Sequence, residues 1–289
     1  MDAEQRKNHV KARLYCPDFK IPAGNVGGEG GSDEGESGGC GGGESVLSDS
    51  ITCDLPSDQA KHARTVLRLG VGDWVEVFNG EGEVGRGKIV VSGKKGMVVE
   101  VSEGWVQERK QGGLIVVTAL PKGSRVDGMI DMLGQLGVDE VWCMTSERSV
   151  VDPRQGKLDK LQARAVEASK QSGRSWLMKV RREVVRFEDV LSEIGDGMER
   201  AGEQGGSGGA VKLIMHFGGV GLDEVKGMLS DEGRSGGNDV VLLVGPEGGW
   251  TDGEVEMAEA KGFVRWTCGA HVMRIETAAV VGAGVLGAL

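Results

Sequence analysis

The sequence predicts an α/β protein, in which a mostly parallel sheet flanked by helices follows a small β-barrel. Three observations predict it. Up to Gly112 the apolar residues fall in short runs broken by turn residues. After Gly112, continuous apolar runs alternate with stretches of helical periodicity. The last apolar runs end in glycines that lead directly into helices, the place where open α/β sheets bind ligands.

In the front part, Asp73 to Asn79 (DWVEVFN) alternates at a period of two and stops at Gly80, which marks a strand and its turn. Val84 to Val91 and Met97 to Val101 read as further strands, and Ser57 to Leu69, with Pro56 near its start, as one helix. In the rear part, Leu114 to Leu120 (LIVVTAL) is apolar throughout, as a strand buried on both faces requires. Ser124 to Leu136 places Val126, Met129, Ile130 and Leu133 on one helical face, with Ser124 and Asp127 spaced as a capping box. Further strands are expected at Glu140 to Met144, Val211 to Phe217, Val240 to Val244 and Phe263 to Thr267. Helices are expected at Lys157 to Gln171, Leu222 to Leu229, Asp252 to Lys261 and Ile275 to Leu289. The domains are predicted as 1–111 and 112–289.

Hydrophobic residues make up 39% of the 289, enough for two cores. The 51 glycines far exceed ordinary usage. Many lie in tracts at about 24–45, 202–209 and 230–238, which read as flexible insertions. No apolar run reaches the roughly 18 residues of a membrane span, and the start, MDAEQRK, lacks the apolar core of a signal peptide. The five cysteines (Cys16, Cys40, Cys53, Cys143, Cys268) form no C-x-x-C pair, which argues against a disulfide framework or a metal site and fits a reducing compartment. The net charge of −10 is unfavourable for nucleic-acid binding, but Met144 to Arg186 carries eleven basic groups against five acids.

Three blocks carry chemistry. In VVLLVGPEGGWTDGEV, an apolar strand ends at Gly245-Pro246-Glu247-Gly248-Gly249, and a helix opens with Thr251 as cap and Glu254 three residues on. Such a loop is either a plain turn or a bare backbone that a ligand approaches closely. In TCGAHVMRIETAAVV, a strand ends at Gly269, and Arg274, Glu276 and Thr277 open a helix of small residues. Arg274 and Glu276 read as a surface ion pair or as the polar wall of a pocket. In TSERSVVDPRQGKLDKLQARAVEASKQSGRS, Lys157, Lys160 and Arg164 share a helix face opposite Leu158, Leu161, Ala165 and Ala168. With Arg148, Lys170, Gln171 and Arg174 around them, these cations suit phosphate contact.

These blocks, with LPKGSRVDGMIDMLGQLGVDEV, SERSVV, EASKQSGRS, LLVGPEGG and the R-x-E-T-A of Arg274 to Ala278, resemble the 16S ribosomal RNA uracil-N3 methyltransferases of the SPOUT superfamily. Lys61 to Gly82 is similar to that family's PUA-like barrel. The resemblance implies a C-terminal trefoil knot that binds S-adenosylmethionine through His216, Phe217, Gly218, Gly245, Pro246, Glu247, Gly248, Gly249, Cys268, Gly269, Val272, Met273 and Thr277. It implies small-subunit ribosomal RNA, free or in the assembled subunit, as partner. The contacts it implies are His62, Arg64 and Arg68 in front and Lys122, Arg148, Lys157, Lys160, Arg164, Lys170, Gln171, Arg174 and His271 behind. It also implies a homodimer through the last helix, whose Ala278, Ala279, Gly282, Ala283 and Gly287 permit close packing, and a cytoplasmic enzyme. The glycine-rich insertions hint at a eukaryotic source, where chloroplast or mitochondrion is the alternative. No metal and no membrane are expected. The family's usual leucine, arginine and threonine are replaced here by Cys268, His271 and Ile275.

The reaction expected is displacement at a sulfonium methyl by uracil N3. Arg274 is expected to stabilise the uracil anion, and Glu276 or Glu247 to orient Arg274 or take the proton. The competing readings are a non-catalytic RNA-binding assembly factor with the same fold and a SPOUT enzyme acting on another base. A Rossmann-type metabolic enzyme fits less well, because no G-x-G-x-x-G follows an early strand.

Overall fold

The computed structural model describes residues 9–23, 45–109, 112–151, 155–194, 210–230 and 239–289. The glycine-rich tracts fall outside these residues, apart from Ser45 and Ser230 at their ends. The chain forms two compact units, Met1–Arg109 with Gly173–Leu177, and Lys110–Ser172 with Met178–Leu289.

The first unit is a five-stranded sheet in the order β1-β3-β4-β5-β2. Its strands are β1 (Arg13–Tyr15), β2 (Ser45–Asp54), β3 (Trp74–Phe78), β4 (Glu83–Gly93) and β5 (Gly96–Val106), with helix α1 (Ser57–Thr65) between β2 and β3. The β1–β3 pairing is parallel and the others are antiparallel. Alternate residues point into one core, where Leu14, Phe19, Val75, Val77, Ile89, Val99 and Val101 are buried. The core needs glycine where strands cross closely: a Cβ on Gly87 would stand 2.0 Å from the Glu100 carbonyl oxygen. Helix α1 ends four residues earlier than the periodicity suggests. Arg68 takes a left-handed φ of 56°, which no helix continues through, and the Leu69 N–H turns back to the Ala63 carbonyl at 2.9 Å. Strands β1 and β2 are absent from the sequence reading; β1 has only three residues, and the Ser-rich β2 lacks a clean apolar alternation.

Gly173–Leu177, which the sequence reading places in the rear domain, packs within the first unit. The Leu177 N–H donates to the Gly80 carbonyl at 2.9 Å, the Trp176 indole to the Gln107 carbonyl at 2.9 Å, and Arg13 to Ser175 Oγ at 2.9 Å.

The second unit is a six-stranded sheet in the order β11-β9-β10-β6-β7-β8, parallel throughout. Its strands are β6 (Leu114–Ala119), β7 (Glu140–Thr145), β8 (Lys179–Arg186), β9 (Val211–Val220), β10 (Val240–Val244) and β11 (Val264–Trp266). Its helices are α2 (Arg125–Gln135), α3 (Gln155–Ser172), α4 (Leu222–Leu229), α5 (Asp252–Ala260) and α6 (Ile275–Gly287), and residues 187–194 are also helical. One core lies under α2, α3, α4 and α6. The other lies under α5 and residues 187–194. Strand β10 sits between them with all five side chains buried, which explains its unbroken apolar run. Strand β8 (KVRREVVR) escaped the sequence reading because it is a charged edge strand, where solvent tolerates arginine and glutamate.

Two local expectations change. Ser124 does not cap α2 with its side chain; its backbone is already helical (φ −80°, ψ −7°), and the Asp127 N–H bonds the Ser124 carbonyl instead. The small residues of α6 serve the protomer's own packing. A Cβ on Gly282 would stand 2.7 Å from Leu242, and Ala279 and Ala283 are fully buried. Leu133 lies wholly buried between α2 and its sheet, so Leu133→Ala is expected to cost about 2–5 kcal/mol. Urea titration of the purified protein checks this; a loss under about 1 kcal/mol would contradict the burial.

Candidate active site

The carboxyl ends of β9, β10 and β11 surround a cavity of about 560 Å³, within the range of small-molecule sites. Its walls are Met215 to Phe217, Val244 to Trp250, Trp266 to Gly269, His271 to Ile275, and Ala278.

Strand β9 runs on to Val220, three residues past its expected end. The extension contains Gly218 at φ 76°, and the pairing with β11 shifts register there. Gly219 passes so close to β11 that a Cβ would stand 2.2 Å from the Arg265 carbonyl oxygen. The Thr267 hydroxyl fixes this crossing, accepting from the Gly219 N–H at 2.9 Å and donating to the His216 carbonyl at 3.1 Å.

The loop after β10 is held from several sides. The Trp250 indole donates to the Met215 carbonyl at 3.1 Å, and a Cβ on Gly245 would meet that ring at 2.8 Å. Thr251 and Glu254 form the capping box expected from their spacing. The buried Glu254 carboxylate also accepts the Glu147 N–H at 2.9 Å, tying in the loop after β7. Arg148 donates to the carbonyls of Gly248 and Trp250 at 3.1 and 3.2 Å. Gly249 and Gly269 adopt φ of 69° and 107°, so both loops present bare backbone to the cavity. Burial pushes the Cys268 thiol up, so this part of the wall stays neutral.

Of the residues expected to bind a cofactor, eleven line this one cavity; Gly218 and Thr277 do not. Thr277 points to solvent on α6. The sequence reading missed the apolar part of the wall, Met215, Val244, Trp266, Ile275 and Ala278, because each looks like an ordinary core residue until the fold places it.

Arg274 is exposed at the cavity rim and makes no ion pair among the described residues. Glu276 and Glu247 both face another cation. Arg125, at the start of α2, takes Glu276 at 3.2 Å and approaches Glu247 at 3.8 Å. A signal for Arg125 was present: a cation in the first turn opposes the helix dipole and calls for an anionic partner elsewhere.

The residues expected to touch RNA fall into three groups. Arg148 holds the glycine loop, Lys170 pairs with Glu167 at 2.9 Å with its side chain 8% exposed, and Arg64 donates to the Gly93 carbonyl. Lys122, Lys160, Arg164, Gln171, His271 and Arg68 are exposed, whereas His62, Lys157 and Arg174 are half-buried. Among the described residues no cluster of His, Cys, Asp and Glu could hold a metal, and no helix is long and apolar enough to cross a membrane.

Residues 108–287 match the RNA methyltransferase domain family, and residues 55–102 match the RNA methyltransferase PUA domain. The chain belongs to the RNA methyltransferase family. This methyltransferase is 29% identical to Ribosomal RNA small subunit methyltransferase E of Synechocystis over 248 residues, covering 85% of this chain and 75% of that one. It is also 29% identical to the Mycobacterium bovis protein of the same name, covering 81% and 86%. A probable rRNA-methyltransferase from Porphyromonas gingivalis superposes with a TM-score of 0.64 at 27% identity, over 81% of this chain and 92% of that one. A small-subunit methyltransferase from Neisseria gonorrhoeae bound to S-adenosyl methionine shares the fold, with a TM-score of 0.71 at 23% identity over 97% and 98%. The α/β unit therefore has the SPOUT-type methyltransferase fold.

The β9–β11 crossing of this methyltransferase is tight enough to test alone. Gly219→Ala is expected to separate β11 from β9 at a cost of about 1–3 kcal/mol. Amide hydrogen exchange should then show the Trp266 and Thr267 N–H groups losing protection, and unchanged protection would refute the crossing.

Proposed function

We propose that this chain transfers a methyl group from S-adenosylmethionine to N3 of a uracil in small-subunit ribosomal RNA. The reading is carried by the glycine-walled cavity at the ends of β9, β10 and β11, with Arg274 at its rim and free of ion pairs among the described residues. The names of the relatives and the ligand of the Neisseria structure point the same way. The order β11-β9-β10-β6, with α6 returning over β10 and β6, supports the trefoil knot that the family resemblance implies.

The residues present fit this methyl donor. Bare backbone at Gly245, Gly248, Gly249 and Gly269 suits its polar groups, and Val244, Met273, Ile275 and Ala278 suit its apolar ones. His216, Phe217, Pro246, Glu247, Cys268 and Val272 complete the wall. When bound, S-adenosylmethionine supplies an electrophilic methyl group on a sulfonium.

The protein's own task is alignment and charge. N3 lies on the Watson–Crick edge, so the base enters unpaired. Loss of its proton spreads negative charge over the uracil carbonyls, and Arg274 stabilises that charge. Arg125 engages Glu276 and so keeps this carboxylate from neutralising Arg274. The proton leaves to water at the open rim formed by His271, Val272 and Arg274. Lys122, Lys160, Arg164 and Gln171 offer phosphate contacts, and His271 a hydrogen bond to the RNA. Arg68 and His62 offer contacts on the barrel. A homodimer is supported by exposed Met132 and Leu136 on α2 and Val281 and Leu289 at α6. The substrate places the enzyme wherever its ribosomes are, in bacterial cytoplasm or in a eukaryotic organelle.

Purified protein, labelled S-adenosylmethionine and unmodified small subunits test the reading. Label should appear as N3-methyluridine by mass spectrometry of digested RNA. Absence of donor binding in calorimetry would leave an RNA-binding assembly factor instead, and label on another base would move the target. Arg274→Ala is expected to lower turnover by about 10²–10³ while donor affinity holds. Arg125→Gln should slow turnover by releasing Glu276 toward Arg274, and adding Glu276→Gln should restore part of it. A double variant slower than Arg125→Gln alone would show that Glu276 itself takes the proton.

A further inference from the structure

The first unit holds a feature that methyl transfer does not use. Cys16 directly follows β1, and Cys53 is the penultimate residue of β2. Those strands are the two opposite edges of the five-stranded sheet. The barrel's curvature brings the edges together, and the two Sγ atoms lie 2.7 Å apart. A covalent S–S bond is about 2.05 Å, so a small rotation of each side chain suffices to join them.

Both backbones are fixed in place. The Cys16 N–H donates to the Phe78 carbonyl at 2.9 Å, and Cys53 pairs with Val99 across β2 and β5. The Cys16 thiol also reaches the Asp54 carbonyl at 3.4 Å. Each cysteine is almost wholly buried, at 1% and 4% exposure, and both are free thiols. The sulfurs face each other because strand pairing puts them there. Partners 37 residues apart leave no short-spacing signal such as C-x-x-C in the sequence.

We propose that Cys16 and Cys53 are a redox pair whose disulfide closes the barrel covalently, formed by exchange with a low-molecular-weight disulfide such as oxidised glutathione. The Cys53 S–H donates to the Cys16 sulfur. That hydrogen bond lowers the Cys16 pKa against the effect of burial and raises that of Cys53, which selects Cys16 as the attacking thiolate. Cys16 attacks one glutathione sulfur, its S–S bond breaks, and a glutathione thiolate leaves. The thiolate of Cys53 then attacks the Cys16 sulfur of the mixed disulfide and expels the second glutathione. Two protein thiols are oxidised, one glutathione disulfide is reduced to two thiols, and the two protein protons end on glutathione. Burial makes the first attack slow, because the oxidant reaches Cys16 only when the end of β1 opens. It makes the second fast, since the partner is already in contact.

The experiment uses the full chain incubated with oxidised glutathione, alkylated, and digested without reductant. Mass spectrometry should find a Cys16–Cys53 crosslink two hydrogens lighter than the separate peptides. The melting transition of the first unit should rise by more than about 10 °C and fall back with dithiothreitol. Cys53→Ala should instead accumulate glutathione on Cys16, and Cys40→Ser should keep both the crosslink and the shift. Glutathione stably retained on wild-type Cys16, a bond from Cys16 to Cys40, or two free thiols after prolonged incubation would each overturn the proposal.

Discussion

The cavity depends on strand β10. Its five residues are buried on both faces and hydrogen-bonded in register to β9 on one side and β6 on the other. An apolar strand so enclosed cannot shift without exposing side chains to water and breaking two ladders. Its end is therefore a fixed point from which the glycine loop departs. Everything at the site is then tied to that point: Trp250 reaches back to β9, Glu254 reaches the loop after β7, and Arg148 clamps two loop carbonyls. A loop that offers backbone groups to a ligand serves well only when it is held still.

Charge follows the same logic of engaged and free groups. The sequence shows an excess of cations between residues 144 and 186, but the fold assigns several of them to internal work. Arg148, Lys170 and, on β8, Arg181 with Glu193 at 2.9 Å are engaged with the protein's own carbonyls and carboxylates. What remains exposed on α3 is a narrower basic face of Lys160 and Arg164 on a chain of net charge −10. A basic face on a chain of net negative charge favours the approach of a polyanion to that face over the acidic surface around it.

The rear domain was legible because its signals are strong and independent. β10 and α4 match their predicted bounds, and β6 differs by a single residue, since continuous apolar runs and helical periodicity are set by burial. The glycine loop and its capping box were legible because the chemistry is local, within five residues. What the sequence does not display is non-local. Glu276 adjoins Arg274 in sequence, yet it turns to Arg125, which lies 151 residues away. The small residues of α6 carry no sign in the sequence of the contact they make, Gly282 against Leu242 of its own sheet. Strand β8 was hidden because a charged edge strand lacks a hydrophobic pattern.

The membership of Gly173–Leu177 in the first unit reaches beyond packing. That unit is discontinuous in sequence, so it cannot be complete when residue 109 leaves the ribosome. The nascent barrel waits for more than sixty further residues, including all of α3, before Trp176 and Leu177 arrive to bond Gln107 and Gly80. The order of synthesis thus delays the first unit until part of the second has already been made.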